Sequence, residues 1–284
     1  FAALCYGDMP FVLAPNSWAA LRGPPRRLPL SERPHGDGIR VNAQSPEAFD
    51  EVFWRTLDGE RYIGEHCLLP HQPPPELGPR FADYLRAVQR ARGGHRYLSK
   101  NNNNVLRLPA LMEWFPQAVF LVPFRLPLEH VASLRRQHAR MSQYQREDPF
   151  FRQYMRWLGH HEFGLDKRRL AAGGHQYLHH DPQTWDYWLE EWLAVYGEVE
   201  RLLSSGTPLL PVAYERLCAS DSPRWQQLCQ CLRLQPEHAG SPPFRSANRQ
   251  LSDPPQNATL LPAANALYQR LLDWDLRGQF TCCP

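Results

Sequence analysis

Apolar residues recur at helical spacing along much of the chain. Phe81, Tyr84, Leu85 and Val88 form a stripe that predicts a helix over 79–92, ended by Gly93-Gly94. Trp185, Trp188, Leu189, Trp192, Tyr196, Val199 and Leu203 mark a longer helix opened by Asp181-Pro182. The helical period already accounts for these aromatics as core, so they are not read as a stacking platform for bases. Ser45-Pro46 reads as an N-cap followed by proline at the first helical position, with Phe49, Val52 and Phe53 on one face. Shorter apolar runs at 97–100, 119–124 and 209–214 predict strands, and helices are expected over 109–115, from Pro127 onward and over 222–232. Pro123 removes a ladder donor, so the second strand should end or bulge there. The βαβα order implies an α/β fold with a parallel sheet. A short amphipathic stretch at 11–21 leads into a segment rich in Pro, Arg and Gly at 22–38, expected to be an exposed loop.

Length changes this picture little: 284 residues with 43% hydrophobic content can bury a core, and one domain over 1–284 is expected. Charge is more restrictive. The 32 Lys and Arg against 29 Asp and Glu give a formal +3, too little for a dedicated nucleic-acid binder and better suited to one local anion site. Seven irregularly spaced cysteines make neither paired CxxC motifs nor a Cys/His zinc pattern, so they read as free thiols in a reducing, cytoplasmic compartment, with no metal. Apolar runs fall short of a membrane span, and no membrane association is expected. The opening Phe1-Ala2-Ala3-Leu4 reads as a start partway into a domain.

The most informative segment runs from Phe115 through Val119-Phe120-Leu121-Val122-Pro123-Phe124-Arg125 to Pro127 and Ser133. A strand ends in arginine and a helix starts at once, which places Arg125 at the crevice where α/β sheets bind ligands, beside free helical N–H groups. Val131, Leu134, His138 and Met141 make the seam of that helix, leaving Ser133 off it and able to offer a hydroxyl to the same anion.

With Arg125, Pro127 and Ser133 in this order, the chain resembles the sulfotransferases that use 3′-phosphoadenosine-5′-phosphosulfate (PAPS), in particular bacterial sulfotransferase-like proteins. Tyr97-Leu98-Ser99-Lys100 is similar to the family's strand bearing a lysine near the sulfonate, and Val212-Ala213-Tyr214-Glu215-Arg216-Leu217 to its Tyr-Glu element. The resemblance implies a three-layer fold of the P-loop type, with a mostly parallel central sheet flanked by helices. It also implies PAPS as donor, Arg125 and Ser133 on the 3′-phosphate, and Lys100 both binding the donor and meeting charge on the leaving phosphate. The family's Gly/Ser/Thr-rich loop for the 5′-phosphosulfate has no counterpart here, because Gly93-Gly94 and Gly173-Gly174 follow no apolar strand. An amino-terminal truncation is expected, with a non-catalytic nucleotide- or partner-binding protein as the alternative.

Glu51 is the first candidate for the general base, against a solvated carboxylate on a helix face. His160-His161-Glu162 lack ligand spacing for a metal. Asn101 to Asn104 either touch a ligand or cap the next helix. Glu215 is expected to be structural, and Ser246, Asn248 and Arg249 could reach a nucleotide. The loop at 68–77 could shape a pocket for a small-molecule or carbohydrate acceptor.

Overall fold

The computed structural model describes residues 1–22, 29–32, 40–219, 223–235 and 258–277. In chain order the elements are α1 (Pro15–Arg22), β1 (Ser31–Glu32), β2 (Arg40–Val41), α2 (Glu51–Leu57), β3 (Cys67–Leu68), α3 (Leu77–Arg92), α4 (Leu108–Trp114), β4 (Phe120–Phe124), α5 (Pro127–Glu147), α6 (Pro149–Leu158), β5 (Arg169–Leu170), α7 (Trp185–Ser204), β6 (Leu209–Ala213), α8 (Tyr214–Cys218), α9 (Arg224–Cys231) and α10 (Leu261–Trp274). The class is mixed α/β. Where one mostly parallel central sheet was expected, the described strands form three pairs: β1 with β2 antiparallel, β3 with β5 parallel, and β4 with β6 parallel. The chain divides into two compact units, Phe1–Pro116 with Gln137–Gly174, and Gln117–Arg136 with His175–Pro284. Among the described residues no helix is long and apolar enough to cross a membrane.

In the first unit, α2 and α3 meet through aromatic side chains. Phe53 stacks on Tyr84 with ring centroids 5.2 Å apart, and Trp54 packs on Phe81 at 4.5 Å. Gly93 ends α3 at φ 70°, a left-handed cap that glycine adopts without steric penalty. The helix expected from Ser45-Pro46 begins instead at Glu51. Ser45 Oγ accepts the Asn42 N–H at 3.0 Å, and Pro46 is bridged to Cys5, so the Ser-Pro pair closes a turn. The strand expected at 97–100 is reduced to one parallel bridge between Tyr97 and Ala2, with the Leu98 N–H donating to Ala2 O at 2.8 Å.

In the second unit, β4 and β6 pair residue for residue from Phe120↔Leu209 to Phe124↔Ala213. The strand runs straight through Pro123, which lies opposite Val212. Among the described residues β4 has a neighbour on one side only, and an unpaired edge tolerates the missing N–H. Every residue of β6 is buried. α7 starts three residues after the expected Asp181-Pro182, because Thr184 is its N-cap, accepting the Tyr187 N–H at 3.3 Å. Asp181 Oδ1 instead accepts the Gln183 N–H within the preceding turn. Asp186, in the first turn of α7, accepts hydrogen bonds from the Thr259 hydroxyl and the Leu260 N–H and so ties the residues that lead into α10 to α7.

Candidate functional site

Parallel pairing brings the carboxyl ends of β4 and β6 to the same edge, and each strand is followed at once by a helix. Helix N-termini carry N–H groups without intrahelical partners, which is why ligands favour this edge in α/β folds. Arg125 is the first residue past β4. Its guanidinium lies 4.7 Å from the centre of the Tyr214 ring, and its Nη2 is 3.9 Å from Glu129 Oε2. The side chain is 23% exposed, yet Nε is buried and has no hydrogen-bond partner. Glu215 ties the two strand ends together: Oε1 accepts the Leu126 N–H at 2.9 Å, and Oε2 accepts the Tyr268 hydroxyl at 3.0 Å.

On α5, Ser133 is part-buried and lies one turn beyond Glu129, on the same helix face. His130, in the first turn, has a buried Nδ1 without a partner. Burial, aided by the charge of Arg125, holds its pKa down to about 4, so the imidazole is neutral at pH 7. The Tyr196 hydroxyl donates to Pro123 O at 2.9 Å and braces the end of β4 from α7.

The first unit contains a different arrangement. Glu51 is 1% exposed, and fully buried Arg107 grips both its oxygens, Nη1 to Oε2 and Nη2 to Oε1, each at 2.8 Å. Asn101 Nδ2 and the Tyr62 hydroxyl also donate to it. Burial alone would raise the pKa of Glu51, but the Arg107 charge and these hydrogen bonds outweigh it and bring the value to about 2. Glu51 is therefore not the solvated carboxylate that was the alternative, and an enclosed carboxylate of such low proton affinity is a weak base.

Arg107 extends the network. Its Nε donates to His71 Nδ1 at 2.9 Å, which leaves the imidazole proton on Nε2, facing Asp58 Oδ2 at 2.6 Å. Burial, followed by the Arg107 charge, lowers the His71 pKa and keeps the ring neutral. The guanidinium lies 4.9 and 5.2 Å from the Trp54 and Tyr62 rings. Asp50, next to Glu51 and equally buried, accepts from Ser99 Oγ at 2.7 Å. Burial pushes its pKa up, and the neighbouring Glu51 charge adds to the rise.

The asparagine run takes the capping role. Asn101 Oδ1 accepts the Asn103 N–H at 3.0 Å, opening the 3-10 turn Asn102–Arg107, and Asn104 Oδ1 accepts from Arg107 at 3.3 Å. Lys100 is exposed. Burial works against ionisation of Glu47, but hydrogen bonds from Tyr6 and Ala48, with the nearby His160 and Lys100 charges, hold its pKa below the ordinary value. His160 and His161 lie past the end of α6, whose C-cap is Gly159. His160 Nε2 is 3.2 Å from Ala48 O, and His161 Nδ1 is 3.1 Å from Asp166 O. Among the described residues no three His, Cys, Asp or Glu side chains are arranged to hold a metal ion.

Lys100 and Glu51 thus belong to the first unit, and Arg125 and Ser133 to the second. Ser246, Asn248 and Arg249 lie outside the described residues. Sequence reasoning missed Arg107, Glu129 and the ring of Tyr214. The signal for Arg107 was its position between Leu106 and Leu108, where an arginine in an apolar run needs a buried counter-charge. No family model matches the chain, and neither a curated protein nor a solved structure is significantly similar to it.

Proposed function

We propose that this chain is a PAPS-dependent sulfotransferase, moving a sulfonate to a hydroxyl or amine and releasing adenosine 3′,5′-bisphosphate. One observation carries the reading: Arg125 sits at the carboxyl end of a parallel strand pair, beside a helix start, with a buried Nε that lacks a partner. A guanidinium in that position suits the 3′-phosphate, and Ser133 offers a hydroxyl from the same helix. The reaction is an in-line displacement in which the acceptor atom bonds to sulfur as the sulfur–oxygen bond to the 5′-phosphate breaks and the acceptor loses its proton. Glu51 is a poor choice to take that proton, for the reasons of burial and ion pairing given above. The acceptor is a small molecule or carbohydrate, the fold in this reading is the three-layer P-loop type, and the compartment is the cytoplasm.

A second reading is a nucleotide- or partner-binding protein on the same fold, without transfer. Calorimetric titration tests both. Adenosine 3′,5′-bisphosphate should bind more tightly than 5′-AMP, and Arg125→Ala should weaken the bisphosphate by about tenfold or more while leaving 5′-AMP unchanged. Equal affinities for the two nucleotides, or an unaffected variant, would remove the nucleotide site. Binding without turnover of PAPS would favour the second reading.

A further inference from the structure

A separate basic cleft lies within the second unit, bordered by α8, α9 and α10. It encloses about 480 Å³, with Arg216, Arg224, Arg277, Gln227, Gln230 and Leu272 on its walls. Its pivot is Asp275, buried just past α10. Asp275 Oδ1 accepts the Ala213 N–H at 2.9 Å, while Oδ2 accepts from Arg216 Nη1 at 2.7 Å and lies 3.3 Å from Arg224 Nη2. The two arginine side chains remain 39% and 28% exposed. One enclosed carboxylate therefore fixes two guanidiniums in a cleft wall and leaves both open to solvent.

Arg216 makes its two hydrogen bonds, to Asp275 and to Leu272 O, from Nη1, so Nε and Nη2 keep their N–H donors for another acceptor. Arg277 is exposed on the same lining. Against three arginines the described lining holds Asp273 and Asp275, which leaves it net positive. Arginine forks held in place by a carboxylate lose little freedom on binding and match the geometry of an oxyanion. We infer that this cleft binds the phosphate or sulfate group of a small molecule, with Arg216 and Arg277 as its principal contacts. A volume of this size accepts the anionic group together with a compact body.

The competing explanation is an ion cluster that only joins α8, α9 and α10. Titration of the full chain with sodium phosphate, sodium sulfate and sodium acetate at fixed ionic strength, read by thermal shift, separates the two. Phosphate and sulfate should stabilise saturably, and acetate should not. The effect should persist in Arg125→Ala, which keeps this cleft distinct from the proposed nucleotide site. Arg216→Gln and the exposed-site variant Arg277→Gln should each weaken it by about tenfold. Linear, unsaturated shifts, equal shifts with acetate, loss in Arg125→Ala, or unchanged midpoints in both arginine variants would each overturn the assignment.

Discussion

Replacing Arg107 by methionine is expected to lower the unfolding free energy by roughly 3–5 kcal/mol, because it strands the Glu51 carboxylate in an apolar interior. Both Glu51 oxygens accept from Arg107, and neither residue is more than 1% exposed, too little for water to compensate. His71 would also lose the donor to its Nδ1, and the Trp54 and Tyr62 rings would lose the cation between them. The double variant Glu51→Gln/Arg107→Met should recover part of the loss, since it removes both charges instead of leaving one unpaired. Urea unfolding of the two proteins provides the comparison. A loss below about 1 kcal/mol in the single variant, or no recovery in the double, would show that the pair is not coupled as the geometry implies.

Acidification from pH 5 to pH 2 should remove stability on the order of 3 kcal/mol through Glu51 alone. Its pKa is about 2 in the folded chain against an ordinary value of 4.5, so the unfolded chain takes up this proton first as the pH falls. The contribution is complete above the ordinary value and disappears as the pH approaches 2. Asp50 acts in the opposite sense. Burial raises its folded pKa above 3.8, so its contribution is present on the acid side and is lost as the pH rises through the raised value. The part of the profile that belongs to Glu51 falls toward acid. Urea midpoints measured across this range should drop steeply for the wild type and flatten for Glu51→Gln; parallel profiles would falsify the assignment of acid lability to Glu51.

Local periodicity made α3, α7, β4 and β6 legible, because apolar spacing and flanking Gly and Pro act within a few residues of one another. Two helix starts were misread for a related reason. Ser45-Pro46 and Asp181-Pro182 have the composition of caps, but Ser45 and Asp181 bond to their own turns at Asn42 and Gln183. Turn and cap chemistry use the same side chains, and sequence alone does not choose between them. The strand expected at 97–100 fell to a single bridge because ladder formation needs a neighbour of matching length, and among the described residues Ala2 is the one residue bridged to it.

The position of Arg125 could be read directly, since a strand, an arginine and a helix start follow in unbroken sequence. What surrounds it could not, because Glu215, which accepts the Leu126 N–H, comes 89 residues later. Glu51 shows the same divide more sharply. On its own helix it has the pattern of a solvated carboxylate, and only the approach of Arg107, 56 residues away, makes burial of its charge tolerable. The sequence by itself determined α3, α7, the strands β4 and β6 and the arginine that follows β4, because those depend on short-range spacing. Tertiary structure decided which charges are enclosed, which remain open to a ligand and which side chains serve as anchors, because desolvation and ion pairing depend on residues far apart along the chain.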